Sequence, residues 1–136
     1  MLRLNETKDE VGVVADQVGN PTYALDIADA LLTVARRIRG DTSPSLRGIF
    51  HMTGSGEATW ADFAEAIFGY AGAHGRRQTR VKRIATADYP TPAQRPANSR
   101  LDNAKFKRTY NIEPPDWRAS LADCIARLIP SPAETT

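Results

Sequence analysis

The sequence predicts an α/β domain in which a few short strands pack with about four helices. Three observations carry that expectation. There are β-branched runs at Val11–Val14 and Val81–Ile84. Apolar residues recur at helical spacing between Leu25 and Ile38, and glycine- or proline-rich breaks separate the two kinds of segment. The 136 residues suffice for one modest core, and 41% hydrophobic with 25% charged residues is ordinary globular usage.

Taken in order, residues 1–10 are amphipathic and charged and read as the tail of a helix. Val11-Gly12-Val13-Val14 is long enough for one strand, which the alternation of strands and helices allows to pair in parallel, and Gly19-Asn20-Pro21-Thr22 then breaks the chain. The following helix is expected to turn Leu25, Ile27, Ala28, Leu31, Leu32, Ala35 and Ile38 inward on one broad face, ending at Gly40 and a surface loop. Gly48 to Thr53 reads as a second strand with His51 half-buried inside it, closed by Gly54-Ser55-Gly56. Thr59 is the expected N-cap of the next helix, with Asp62 as its capping-box partner. That helix is expected to carry Trp60, Phe63, Ala64, Ile67 and Phe68 inward to about Gly72. Val81–Ile84 reads as a third strand. From Ala87 to Arg100, Pro90, Pro92 and Pro96 exclude a helix or a central strand. Short helices near Asn103–Thr109 and Trp117–Ile129 follow, and residues 130–136 read as a disordered tail outside the 1–129 domain.

Charge and composition narrow the function classes. Net charge is +2, and the densest basic run, Arg76 to Arg83, contains no aromatic residue. It reads as a solvated strand edge, not a nucleic-acid surface. Cys124 is the single cysteine, which excludes an internal disulfide and a cysteine zinc site. With Leu121, Ile125 and Leu128 it reads as a buried small hydrophobe on an apolar helical face. No run approaches the ~20 apolar residues of a membrane helix, and Met1 to Glu6 lacks the apolar core of a signal peptide. The expected location is the cytoplasm.

Catalytic chemistry is conspicuous by its absence. Gly54-Ser55-Gly56 lacks the third glycine of a dinucleotide fingerprint and reads as punctuation. His51 and His74 stand alone, without metal-ligand spacing. There is no Gly-x-Ser-x-Gly elbow. None of Tyr23, Tyr70, Tyr89 and Tyr110 is followed four residues later by a lysine, the spacing that sets an ammonium beside a phenol and lowers its pKa.

Two segments carry a resemblance. The first is Ala15-Asp16-Gln17-Val18-Gly19-Asn20-Pro21-Thr22 with Asp26-Ile27-Ala28 behind it. The second runs from Tyr89 to Asp102 and includes Arg95-Pro96-Ala97-Asn98-Ser99-Arg100-Leu101, followed by Lys105-Phe106. Their order, their separation and the intervening Gly48-Ile49-Phe50-His51 resemble the dTDP-4-dehydrorhamnose reductase family of extended short-chain dehydrogenase/reductases. The likeness covers about residues 1–129.

It implies the carboxy-terminal substrate-binding domain of such a reductase, truncated from a longer protein, with the Rossmann half absent. In the family that absent half carries the NADPH loop and the catalytic Thr, Tyr and Lys, so no cofactor and no catalytic residue is expected on this chain. The implied parent reaction is hydride transfer from NADPH to the 4-keto carbon of dTDP-4-dehydro-L-rhamnose. Implied partners are the dTDP-sugar and the missing half, with no nucleic acid and no membrane.

The resemblance also distributes roles. In related reductases and epimerases an arginine matching Arg95 pairs with the substrate diphosphate, which suits a planar guanidinium fork. Otherwise Arg95 stacks on Tyr89 or bonds a loop carbonyl. Arg100 either reaches the same phosphates or pairs with Asp102 or Asp88. Asn98 and Ser99 touch ligand or tie the loop to backbone. Asp16 and Gln17 end a strand, where ligands lie in open α/β sheets, or stabilise a turn. Thr22 is expected to fix the helix entry, and Asp26 to sit in its first turn for the helix dipole.

Some members dimerise through magnesium held by glutamates, but Leu25 and Arg127 stand at the matching positions and cannot ligate it. Self-association, if any, would use exposed apolar surface. Two other readings stay open: a non-catalytic binding subunit similar to the regulatory subunit of methionine adenosyltransferase, and an independent small binding domain. Asp16-Gln17-x-Gly19 and Asn98-Ser99-Arg100 favour the reductase.

Overall fold

The structure is a computed structural model that describes residues 1–129. The tail expected over 130–136 lies outside the described residues. The order is α1 (Leu2–Asn5), β1 (Glu10–Val14), β2 (Val18–Gly19), α2 (Ala24–Gly40), β3 (Ala58–Thr59), α3 (Trp60–Ala73), β4 (Arg80–Ile84), α4 (Ala104–Tyr110) and α5 (Trp117–Leu128). Single 3-10 turns lie at Pro44–Leu46 and Thr86–Asp88.

β1 and β4 pair in parallel from Glu10↔Arg80 to Val14↔Ile84. A parallel pair needs a crossover, and α2 and α3 supply the intervening chain. β2 and β3 form a two-residue antiparallel contact, Val18↔Thr59 and Gly19↔Ala58. The expected strands at 11–14 and 81–84 are therefore present and parallel, while β2 and β3 are too short to register in a pattern of alternation.

The main core lies between the β1–β4 pair, α3 and α5. Ala61, Ala64, Ile67, Phe68 and Ala71 recur at helical spacing on α3 and meet Val13 with Trp117, Leu121 and Ile125 of α5. The alanines keep the helices close, and Phe63 packs edge-on to Trp117 at 5.7 Å. A second, smaller cluster joins Ala30 of α2 to Leu46, Phe106 and Tyr110, with Val34, Ile38, Phe50 and Met52 beside them. The Tyr110 hydroxyl, buried there, donates to Leu46 O at 2.8 Å.

Several expectations fail for physical reasons. Gly48–Thr53 forms no ladder, although Phe50 and Met52 still alternate inward of an exposed His51. Gly48 has φ +127, and side chains take the part of a neighbouring strand. Asn103 Nδ2 donates to Thr53 O, Asn103 Oδ1 accepts from Thr53 N, and Lys105 Nζ donates to Ile49 O. α2 does not bury the broad face expected of it: Ala30, Val34 and Ile38 turn inward, while Leu25, Leu31 and Leu32 are exposed at 39%, 62% and 55%. The apolar arc of this helix is broader than the strip it buries, so its period cannot say which part of that arc faces the core. Trp60 and Leu128, expected inward, overhang their helix ends and are exposed, and Cys124 is half-buried.

The arginines of the basic run are charge-matched. Arg76 pairs with Glu6, Arg77 with Asp9, Arg80 with Glu10, and Arg83 with Asp62 and Glu65. Its strand lies at a sheet edge, as its composition implied. The most buried polar side chain, Asn5 at 1%, ties α1 to the start of β4: its Nδ2 donates to Arg77 O at 2.6 Å and Thr79 Oγ1 at 3.0 Å. Thr79 Oγ1 in turn donates to Lys8 O. Replacing Asn5 by alanine strands these acceptors in a dry site, and chemical denaturation is expected to show a loss of about 1–3 kcal/mol. A loss within error would show that the α1 tie carries no stability.

Candidate functional site

The site forms where β1 runs out. Ala15 N still bonds Ile84 O, extending the β1–β4 ladder by one residue, and the chain then turns into β2 through Asp16 and Gln17. Asp16 accepts from Thr86 Oγ1 at 2.6 Å and from Thr86 N at 3.0 Å. The Thr86 hydroxyl, and then its N–H, hold the Asp16 carboxyl below its ordinary pKa. Gln17, 8% exposed, donates from Nε2 to the same Thr86 Oγ1 at 3.0 Å. Thr86 thus locks the strand end to the turn at 86–88. Asp16 takes the turn-stabilising role, and Gln17 is fixed with its amide at the wall of two cavities.

Val18 is where three segments meet. Its N–H donates to Ala97 O at 2.9 Å, its carbonyl accepts from Ser99 N at 2.9 Å, and it pairs with Thr59 of β3. The proline-rich segment is therefore laid alongside β2, with Asn98 bridging Val18 in parallel. Gly19 permits this approach, since a Cβ there would meet Ser99 Oγ at 2.8 Å. Asn20 donates to Gly56 O and accepts from Leu101 N, and Thr22 Oγ1 donates to Asn20 O and accepts from Gly54 N. Thr22 thereby fixes the entry to α2. Asp26, in the first turn of α2, accepts from Ser120 Oγ at 2.5 Å.

These ties shape two openings. The larger, about 490 Å³, is a groove along β1 lined by Val11–Val14, Met1, Leu4, Gln17, Trp60, Thr86, Tyr89, Thr91 and Arg95. The smaller, about 330 Å³, lies between β2, β3 and the start of α3. Gln17 and Trp60 line both.

Of the residues singled out from sequence, Gln17 and Arg95 share the larger groove, with Asp16 anchored behind it. Among the described residues Arg95 has no hydrogen bond, ion pair or cation–π contact. It does not stack on Tyr89. An exposed guanidinium in that state can receive an anion. Arg100 and Asn98 do not line the groove. Asn98 Oδ1 accepts from Arg100 N and Nε, and Arg100 Nη1 pairs with Glu57 at 2.5 Å, not with Asp102 or Asp88. Ser99 Oγ donates to Val18 O, a loop tie.

Sequence reasoning missed Thr86 and Trp60. No local signal announces Thr86, whose partners lie 70 and 69 residues away. The signal for Trp60 was present but misread. A residue immediately after an N-cap starts the helix at its rim, where nothing need cover it. That rim is rigid: Thr59 and Asp62 form the expected capping box, and Arg83 donates to Asp62 Oδ1 at 2.8 Å and to Glu65 Oε1 at 3.0 Å.

Gly54-Ser55-Gly56 does not fit a dinucleotide. Gly54 N is taken by Thr22, Ser55 N by Pro115 O, and a Cβ on Gly54 would meet Pro21 O at 2.3 Å. Gly54 and Gly56 serve close packing against Pro21 and Trp117, and the first two amides of the turn are already committed to acceptors within the chain.

Comparison with known proteins accords with this geometry. The model of the RmlD substrate binding domain matches residues 1–129. The chain belongs to that family. It is 53% identical to dTDP-4-dehydrorhamnose reductase of Sinorhizobium fredii, over 88% of this chain and 40% of that protein. It is 35% identical to the Escherichia coli K12 reductase, over 98% of this chain and 44% of that one. A Clostridium acetobutylicum dTDP-4-dehydrorhamnose reductase superposes with TM-score 0.81 at 35% identity, covering 93% of this chain and 41% of that one. A Bacillus anthracis reductase in complex with NADP gives 0.75 at 29%, covering 90% and 40%. The chain thus spans about two-fifths of the length of these relatives. Among the described residues no helix is long and apolar enough to cross a membrane.

The capping box yields a pH prediction. The Asp62 carboxyl is lowered from 3.8 to about 2, chiefly by the Thr59 hydroxyl and N–H and then by Arg83. A depressed folded value gives stability that is present above the unfolded value and is lost as pH falls through the folded one. Between pH 4 and 2, Asp62→Asn is expected to unfold with a shallower pH dependence than wild type. Equal slopes in the two proteins would contradict the assignment. Thr59→Ala is expected to cost about 1 kcal/mol at neutral pH.

Proposed function

We propose that this chain forms the nucleotide-sugar side of the cleft in an NADPH-dependent dTDP-4-dehydrorhamnose reductase, and is inactive on its own. The observation that carries this reading is Arg95: an exposed guanidinium without a partner among the described residues, on the wall of the larger groove. Its fork matches two oxygens of a diphosphate, and such charge-assisted pairs are roughly twice as strong as neutral ones. Gln17 offers an amide to the same groove.

The chain's part in the reaction is binding and orientation. Arg95 takes the diphosphate, Gln17 contacts the ligand between the two cavities, and Thr86 with Asp16 hold Gln17 still. NADPH, when bound by the amino-terminal half, supplies the hydride. Arg100 and Asn98 act indirectly here: their mutual bonds and the Glu57 pair brace the loop that carries Arg95.

The other half also has a docking edge in this reading. Asp9 O and Ala15 N bond β4, so alternation directs the N–H and C=O of Gly12 and Val14 to the opposite edge, along the groove. An unpaired edge of a two-stranded parallel sheet calls for a further strand. The leucines exposed on α2 would support self-association. That contact would need no magnesium, because Leu25 and Arg127 offer no oxygen. A reducing cytoplasm suits the free Cys124.

Joining the chain to the amino-terminal half of the Sinorhizobium fredii relative is expected to yield NADPH oxidation with the dTDP-4-keto sugar, and the chain alone none. No turnover from a well-folded joined protein would overturn the reading. In the joined protein Arg95→Ala is expected to raise KM for the dTDP-sugar about tenfold or more, leaving KM for NADPH unchanged. An unchanged sugar KM would remove Arg95 from the site. Hydrogen exchange at Gly12 and Val14 is expected to be fast in the chain and slow in the joined protein.

A further inference from the structure

We infer that Trp60 is the platform on which the planar base of the nucleotide lies, an assignment that rests on the nucleotide-sugar reading above. Trp60 is 56% exposed, whereas the other tryptophan, Trp117, is 2% exposed. Single exposed apolar residues are common and need no explanation. Trp60 differs because the backbone that presents it is so firmly held. It follows the Thr59–Asp62 capping box, and the Arg83 guanidinium grips Asp62 and Glu65 on that same first turn. β3 fastens the preceding residues to β2. A rigid mount for a bare indole is what a stacking surface requires, because little freedom is lost when a ring lies on it.

Position and chemistry narrow the ligand. Trp60 lines both cavities, so a ring on its face lies within reach of the groove that holds Arg95. Gln17, the other residue common to both cavities, commits Nε2 to Thr86, and its Oε1 has no hydrogen bond among the described residues. A flat apolar face beside one free carbonyl acceptor suits a pyrimidine carrying an imide N–H, a base of the thymine or uracil type. Phosphates at Arg95 and the base at Trp60 would then fix the ligand at two points.

Tryptophan emission tests this directly, since Trp117 serves as a buried internal control. dTDP titrated to millimolar concentration into the chain is expected to quench the emission saturably. Thymidine is expected to do so more weakly, and pyrophosphate not at all. In Trp60→Phe, which keeps a ring at the same place, the quench should vanish while the Trp117 emission stays. In Trp60→Ala, dTDP affinity measured by calorimetry should fall about tenfold or more. Matching far-ultraviolet dichroism would establish that both variants fold. If dTDP binds but both variants bind and respond like wild type, Trp60 is no platform while the nucleotide site survives. If only the protein joined to the amino-terminal half binds dTDP, an unchanged affinity in its Trp60→Ala variant overturns the platform; if dTDP does not bind saturably even there, the nucleotide-sugar reading itself falls, and this inference with it.

Discussion

Everything at the site hangs on the backbone of Val18. One residue bonds Ala97 and Ser99 through its N–H and carbonyl and pairs with Thr59 of β3. Those contacts bring together parts of the chain that lie about 40 and 80 residues apart. Gln17 precedes Val18, Trp60 follows Thr59, and Arg95 precedes Ala97, so one crossing point delivers all three to adjoining walls. Loop closure over such separations is costly in entropy. The short ladders, the capping box and the prolines at 90, 92 and 96 are what offset it, by leaving each arriving segment few alternative shapes.

Local signals in the sequence were read correctly. The Thr59–Asp62 box, the prolines of the second motif and the β-branched runs all act within a few residues, and each produced the element expected of it. Signals that needed a partner were not. The broad apolar arc of α2 could not tell the part that faces Phe106 and Tyr110 from the part that faces out. Gly48–Thr53 keeps a strand's alternation, yet its hydrogen bonds go to Asn103 and Lys105, which no inspection of that segment could foresee. Likewise Arg100 found Glu57 and not its near neighbour Asp102, because the bonds from Asn98 to the Arg100 backbone and Nε aim the side chain away from its own loop.

The candidate site divides the same way. Asp16, Gln17 and Arg95 were recognisable by motif, but their division of labour was not. Asp16 is spent on Thr86, Gln17 keeps one free acceptor, and Arg95 has no partner among the described residues. A polar group already satisfied by its neighbours has little to gain from a ligand, whereas an unpaired one has its full hydrogen-bonding capacity to offer. By that criterion the arginine at 95, and not the one at 100, has capacity to spare for an anion, which is why the proposal rests on it. The chain's proposed part is recognition, and it rests on a charged fork, a fixed amide and an exposed indole.

Whether the diphosphate goes to Arg95 can be seen in the arginine side-chain resonances of the nitrogen-15-labelled chain. On adding dTDP at millimolar concentration, the Nε–H signal of Arg95 should move while that of Arg100, held by Asn98 and Glu57, stays in place. A shift at Arg100 with Arg95 unmoved would contradict the assignment at its root.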